Sequence, residues 1–297
     1  MTKSRAAGEL TFASALWGFG FVATIWALKS HTAAELLVLR FLVALSAGIP
    51  LSLWLCRHLL KGSHLHEIKI ACVPGLLLGA FLLLQTIGME TTTATKSGFI
   101  TTLYVLFVPV ANQILFKQKI VKIHYVFAFT ALVGTYFLMG ADFSHLVKGD
   151  LLTLIAALVG AFHIIAIGYF APRSRNSFVM NNSQSFWTLL FFLPFLFTQD
   201  QVDLTFEPGL PLMGIFFLGL GSSLLAFAIQ IRTQKIISDE LASQLFLLEA
   251  PFSFAFAFLF LGEILGPLQL LGALLILTSS FASIKFAKTK FEKAQLE

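Results

Sequence analysis

Residues 149–170 read GDLLTLIAALVGAFHIIAIGYF. Past Asp150 the stretch carries no charge, and its apolar residues follow one another without the period-2 alternation of a barrel strand. As a helix it is about 30 Å long, the thickness of a bilayer's hydrocarbon core. Runs of the same kind recur along the chain, near 10–28, 33–55, 68–88, 97–116, 124–140, 149–170, 178–198, 210–230, 240–261 and 268–286. Ten such spans take up roughly 200 residues. The remainder is nine short connections and two tails, so any function has to sit inside the bundle.

Composition points the same way. Of 297 residues 57% are hydrophobic, 33 of them Phe, and only 12% are charged. That charged share is about half of a soluble domain's, and the mean hydropathy is +0.86. A soluble domain needs charge on its exterior, so soluble, disordered and fibrous classes are excluded and an all-α integral membrane protein remains. Two cysteines make no disulfide framework. The first span runs on to about residue 28, with Trp26, Leu28 and Lys29 where a cleavage site would stand, so it reads as a span rather than a leader.

Lys and Arg fix the orientation. With the N-terminus in the cytoplasm, inside segments hold 16 of the 20 basic residues, Lys119 among them, and outside segments hold three, Lys29, Lys96 and Lys148. Arg40 lies within a span. Both termini are then cytoplasmic. The basic pI of about 9.3 is explained by this bias, leaving a nucleic-acid partner nothing to account for.

A shift of 142 residues brings landmarks into register. Ala15-Leu16 and Gly18 fall on Ala157-Leu158 and Gly160, Gly79 on Gly221, and Pro109 on Pro251. Two residues further on, Lys119 meets Glu263. Residues 1–141 and 142–297 therefore read as two repeats of five spans. Because five is odd, the second is inserted upside down, the plan of many secondary transporters, whose sites lie near the midplane between the halves.

Several of these residues also resemble a known family. Trp17-Gly18-Phe19 in span one and Leu39-Arg40-Phe41 in span two are similar to signatures of the EamA-type drug/metabolite transporters. So are Leu84-Gln85-Thr86-Ile87-Gly88, Gly98-Phe99-Ile100-Thr101, Ala161-Phe162-His163-Ile164, Gln230 with Gln234, and Leu261-Gly262-Glu263. Two positions depart from the pattern. Pro251 stands one residue beyond a Glu-Pro pairing with Glu249, and Lys119 stands where a Gly-Glu pair is common. The resemblance covers almost the whole chain. It implies two inverted five-helix repeats around a central cavity, in the cytoplasmic (inner) membrane, working by alternating access on a small metabolite or amphipathic solute. It names no substrate, because members move amino acids, nucleotide derivatives, sugars, drugs and other metabolites.

Charge inside a membrane is costly and marks function. Glu249 lies near mid-bilayer in span nine, with Ser253 one turn on along the same face. It reads as a substrate or proton site, or as a protonated carboxyl that holds helices together. Arg40 reads as a bidentate anchor for a carboxylate or phosphate, or as an arginine that snorkels or pairs with Glu35 or Glu90. His163 reads as a relay or as a packing residue.

Polar stripes join these charges. Asn181, Gln184, Ser185 and Thr188 share a face of span seven, Ser97, Thr101 and Tyr104 a face of span four, and Ser223 and Gln230 lie seven apart in span eight. Such faces look inward, as cavity lining or as glue between helices. Gln85 joins them, and Trp17, mid-span, reads as a wall or gate. Pro109 and Pro251 are matched hinge positions.

Catalysis has little support. The sequence holds no phosphate loop, no HExxH and no zinc-spaced Cys/His cluster, so no cofactor or metal is expected. Without a nucleotide site, uphill transport draws on an ion gradient or exchange, with Glu249 the proton-coupling candidate. The competing classes are a scaffold, a passive channel, or a membrane enzyme, which would need a catalytic cluster at one face. The partners are a small solute and the lipid bilayer. Spans five and ten, nearly free of polar residues, face lipid or a second copy as a homodimer. The orientation predicts that green fluorescent protein fused after Glu297 fluoresces in cells, whereas alkaline phosphatase fused there is inactive; the reverse pattern would overturn it.

Overall fold

The computed structural model describes residues 1–56, 64–117, 123–138 and 147–294, and Lys119 of the repeat match lies outside them. The described residues form helices and no strand. The first half contains α1 (Lys3–Ala27), α2 (Ala33–Cys56), α3 (His64–Ile70), α4 (Cys72–Gly88), α5 (Ala94–Thr101), α6 (Tyr104–Phe116) and α7 (Ile123–Leu138). The second contains α8 (Lys148–Phe170), α9 (Ser177–Leu196), α10 (Leu210–Phe216), a π-helical stretch (Phe217–Ala226), α11 (Phe227–Thr233), α12 (Asp239–Phe246), α13 (Glu249–Leu261) and α14 (Pro267–Ala294).

Six helical stretches are long and apolar enough to cross a membrane: Lys3–Ala27, Ala33–Trp54, Ala94–Phe116, Lys148–Arg173, Leu210–Thr233 and Asp239–Leu261. Shorter apolar helices include Cys72–Gly88 and Pro267–Ser279. Helix α9 has 20 residues, but the polar stripe lowers its hydropathy. The chain is a multi-pass helical membrane protein.

Three expected spans are irregular in their interior, and a fourth, near 68–88, passes from α3 to α4 at Ala71 close to its start. The stretches that begin at Ala94 and Asp239 break at Thr102–Leu103 and Leu247–Leu248, 145 positions apart. At the first break the chain tightens, with Leu103 N donating to Ile100 O at 3.1 Å and Leu106 N to Leu103 O at 2.9 Å. At the second, Leu248 N donates to Leu245 O and Ala250 N to Leu247 O. Pro251 lies beside this second break and has no N–H to continue the regular ladder. Pro109 lies inside α6, beyond its break. The matched structural features are therefore the breaks rather than the prolines. The third irregularity, the π-helical stretch, is held from outside: Asn181 Nδ2 donates to the carbonyls of Ser223 (3.0 Å) and Leu224 (3.1 Å). A wide turn frees backbone carbonyls, and a buried side-chain amide satisfies them.

The halves interlock. Helix α1 packs against α13 and against α10 through α11, while α8 packs against α5–α6 and against α4. Helix α2 packs on α9, and α7 on α14. Exchanging the two halves maps the pairings of α1 onto those of α8 and leaves the α2–α9 and α7–α14 pairings as they are. The two broken stretches are clasped at both ends. Glu263 accepts from Ala94 N and Thr95 N at 2.9 Å each, placing an acid on the N-terminus of α5. At the other end Asn112 Nδ2 donates to Glu240 Oε1 at 2.6 Å.

Lipid gives apolar helices no hydrophobic reason to associate, so close backbone approach carries more of the packing. A Cβ on Gly18 would lie 2.5 Å from Phe252 Cβ and 2.9 Å from Ser253 N, so only glycine lets α1 seat on α13. A Cβ on Gly134 would lie 2.8 Å from Gly272 O, and one on Gly272 would strike Gly134 O and Leu138 N. Gly272→Val is expected to cost about 1–3 kcal/mol by forcing α7 from α14, read as a lower melting temperature in detergent. Gly8→Ala, with nothing within 4 Å of its new Cβ, serves as the neutral or mildly stabilising control.

Candidate functional site

Where the interlocked helices meet, a cavity opens between α1, α2, α4, α6, α8, α11, the π-helical stretch and the α12–α13 break. The space within its walls, including the part continuous with the exterior, is about 560 Å³. Its lining draws on both halves and contains Arg40, Glu249, His163, Gln85, Tyr104, Gln230 and Trp17. Seven residues picked from widely separated places in the sequence thus reach one space.

Glu249 is the first residue of α13 and sits at its break. Tyr104, the first residue of α6, sits at the other. The Tyr104 hydroxyl donates to Glu249 Oε2 at 2.9 Å, joining the two breaks across the cavity. Glu249 Oε1 has no protein partner among the described residues and is not among the fully enclosed polar atoms, so it looks into the space. The carboxyl is buried within the bundle; its residue is 7% exposed.

Arg40 is 4% exposed. Its Nε donates to Ser223 Oγ at 2.7 Å and its Nη2 to Ser222 Oγ at 3.1 Å. This corrects two of the expectations. The side chain does not snorkel, and it does not pair with Glu35, whose oxygens accept from Thr32 and from the backbone N–H of Asp203. Both serines belong to the π-helical stretch. Arg40 and Glu249 are not an ion pair, although both line the same cavity.

His163 Nε2 lies 3.2 Å from Gln184 Oε1, and its ring meets Phe227 edge-on at 5.9 Å. Gln184 stands behind it rather than on the cavity wall, and its Nε2 is enclosed without a partner. Gln85 Nε2 donates to Thr101 Oγ1 at 2.9 Å, bracing α4 on α5. Gln230 donates to Gln234 at 2.8 Å, and Gln234 passes the connection to Asp239 at 3.0 Å, at the start of α12. Trp17 packs against Phe246 at 5.0 Å and Phe227 at 5.1 Å, forming a wall, with its indole N–H enclosed.

Other expected residues lie elsewhere. Ser253 Oγ donates to Ala94 O at 3.0 Å and binds α13 to α5. It shares a helix with Glu249 but turns to Gly98, whose missing side chain makes room for it. Asn181 serves the π-helical stretch, and Thr188 Oγ1 donates to Gly75 O at 2.9 Å. Of the two meanings of the span-seven stripe, the structure shows glue. Ser223 reaches the cavity only through Arg40.

The lining also includes residues outside the sequence expectation, among them Ser222, Thr24, Phe21, Phe81, Phe227 and Phe246. The Ser222-Ser223 doublet after Gly219 and Gly221 marks a weak helix and carries some signal. Four phenylalanines among 33 carry none.

Two segments, 10–140 and 147–284, match the model of the EamA-like transporter family. The chain belongs to that family. This EamA member is 30% identical over 272 residues to an uncharacterized transporter of Archaeoglobus fulgidus, covering 90% of this chain and 82% of that protein. A protein of known crystal structure superposes with a TM-score of 0.71 over 97% of this chain and 99% of its own, at 16% identity, which shows a shared fold. Family and relative together make the protein a membrane transporter and point away from an enzyme. Among the described residues, no group of three or more His, Cys, Asp or Glu side chains stands ready to hold a metal.

Asn181→Leu leaves two buried carbonyls without their donor. It is expected to destabilise by about 1–3 kcal/mol, read in thermal unfolding. An unchanged melting temperature would show that the π-helical stretch does not need the amide.

Proposed function

We propose that this EamA member is a secondary transporter that carries a small metabolite or amphipathic solute across the cytoplasmic membrane by alternating access. In this reading residues 1–141 and 142–297 are inverted repeats of five spans each, with both termini inside. The observation that carries it is the cavity itself: a space at the meeting of both halves, lined by a cation and an acid that do not neutralise each other, and bounded by two helix breaks at corresponding places. Broken helices near the midplane are where transporters with inverted repeats place their solutes.

The breaks suit a rocking motion. Each replaces regular helix with a tight turn, and the Tyr104–Glu249 hydrogen bond links the two turns. A solute or proton that takes Glu249 away from Tyr104 unlinks them. Glu249 is the proton-coupling candidate because one oxygen is held by Tyr104 and the other faces the cavity, where a proton can arrive and leave.

The test is flux in proteoliposomes with an imposed pH gradient and a metabolite mixture. Wild type is expected to show saturable, pH-gradient-dependent accumulation of one compound class, while Glu249→Gln retains exchange and loses the pH dependence. Flux that does not saturate would mean a channel. Full pH dependence in Glu249→Gln would remove this residue from coupling.

A further inference from the structure

A guanidinium taken out of water is costly unless a counter-charge or a full set of acceptors meets it. Arg40 has neither. Its hydrogen-bond partners are two neutral hydroxyls, and the Phe41 ring lies 5.6 Å from its charge centre. The carboxylate of Glu35, on the same helix, is occupied by Thr32 and Asp203 N, and that of Glu249 by Tyr104. Among the described residues no acid forms an ion pair with Arg40.

The fork is also half used in a particular way. Ser223 and Ser222 take the side-on edge, Nε and Nη2. The end-on edge, Nη1 with the second hydrogen of Nη2, remains. Nη1 has no partner among the described residues and is not fully enclosed, and Arg40 lines the cavity. The serines therefore aim the guanidinium without neutralising it. An end-on guanidinium edge matches the two oxygens of a carboxylate or phosphate.

We infer that the cavity takes an organic anion whose carboxylate or phosphate head docks on the end-on edge of Arg40. This rests on the transport reading above and names the charge class of its solute. The rest of the lining shapes the molecule behind the head. Trp17, Phe21, Phe81, Phe227 and Phe246 give an apolar, aromatic wall for its body. Glu249 Oε1, elsewhere on the wall, disfavours a second negative charge.

Thermal unfolding of the purified, full-length protein in a neutral detergent tests this with four compounds that share one ring: benzoate, phenyl phosphate, benzyl alcohol and benzylamine. A ligand that binds the folded state raises the melting temperature by mass action. Benzoate, phenyl phosphate or both are expected to raise it by roughly 2–4 °C near saturation, and the alcohol and the amine are not. Which anion acts tells a carboxylate site from a phosphate site. Arg40→Met is expected to abolish the shift while melting, without any compound, at or above the wild-type temperature, because an uncompensated charge has been removed. A residue that merely clamped the π-helical stretch would do the opposite and melt lower. Arg40→Lys keeps the charge but not the fork, and is expected to retain a reduced shift.

Stabilisation by benzylamine, no anion-selective shift in wild type, or an anion shift that survives in Arg40→Met would each overturn the inference. If Arg40→Met does not fold, the wild-type series and Arg40→Lys decide it. Saturable flux without anion preference would sink this inference alone; anion binding without flux in proteoliposomes would sink the transport reading instead.

Discussion

In hydrocarbon every polar group needs a partner within the protein, and every charge needs a place away from lipid. That constraint orders this molecule. Arg40 and Glu249 are carried on helices that are otherwise strongly apolar, so α2 and α13 have to turn these side chains to a common interior. Once there, the two are held apart by different partners, the paired serines for one and Tyr104 for the other. The space between their helices is the cavity. A direct ion pair would have satisfied both charges and left them little to offer a solute.

The irregular backbone serves the same end. Ser222 and Ser223 both lie in the π-helical stretch and both accept from Arg40. Asn181 meets the carbonyls that the wide turns release. At the breaks of α5–α6 and α12–α13, Tyr104 and Glu249 each begin a new helix and meet across the gap. Glu263 and Asn112 then pin the outer ends of these paired stretches. The molecule is thus rigid where backbones touch, as at Gly18 and Gly134, and irregular where the site lies.

Much of the fold was legible in the chain. The apolar runs predicted helices, and helices stand at each of them. The positions of Glu249, Arg40, His163, Gln85, Tyr104, Gln230 and Trp17 marked the cavity, because a polar or outsized residue in a hydrophobic run has few other reasons to be there. What could not be read was the direction of each face. Ser253 follows Glu249 by one turn, yet it packs into the notch of Gly98. The span-seven stripe could have been lining or glue, and its Thr188 and Asn181 proved to donate to carbonyls on α4 and the π-helical stretch. Nor did the prolines mark the breaks. Pro109 removes a hydrogen bond within α6 and the helix continues past it, whereas the chain tightens at Thr102–Leu103, where nothing in the residue types demands it.

The sequence by itself determined the class of protein, its run of apolar helices and the few residues that had to be kept from lipid. It could do so because transfer into hydrocarbon is a property of composition along the chain, decided residue by residue. The tertiary structure alone decided which of those residues face a common space and which merely hold helices together. Those assignments depend on contacts between residues far apart in sequence, such as Tyr104 with Glu249 and Arg40 with Ser222 and Ser223, and on close backbone approaches that no local pattern encodes.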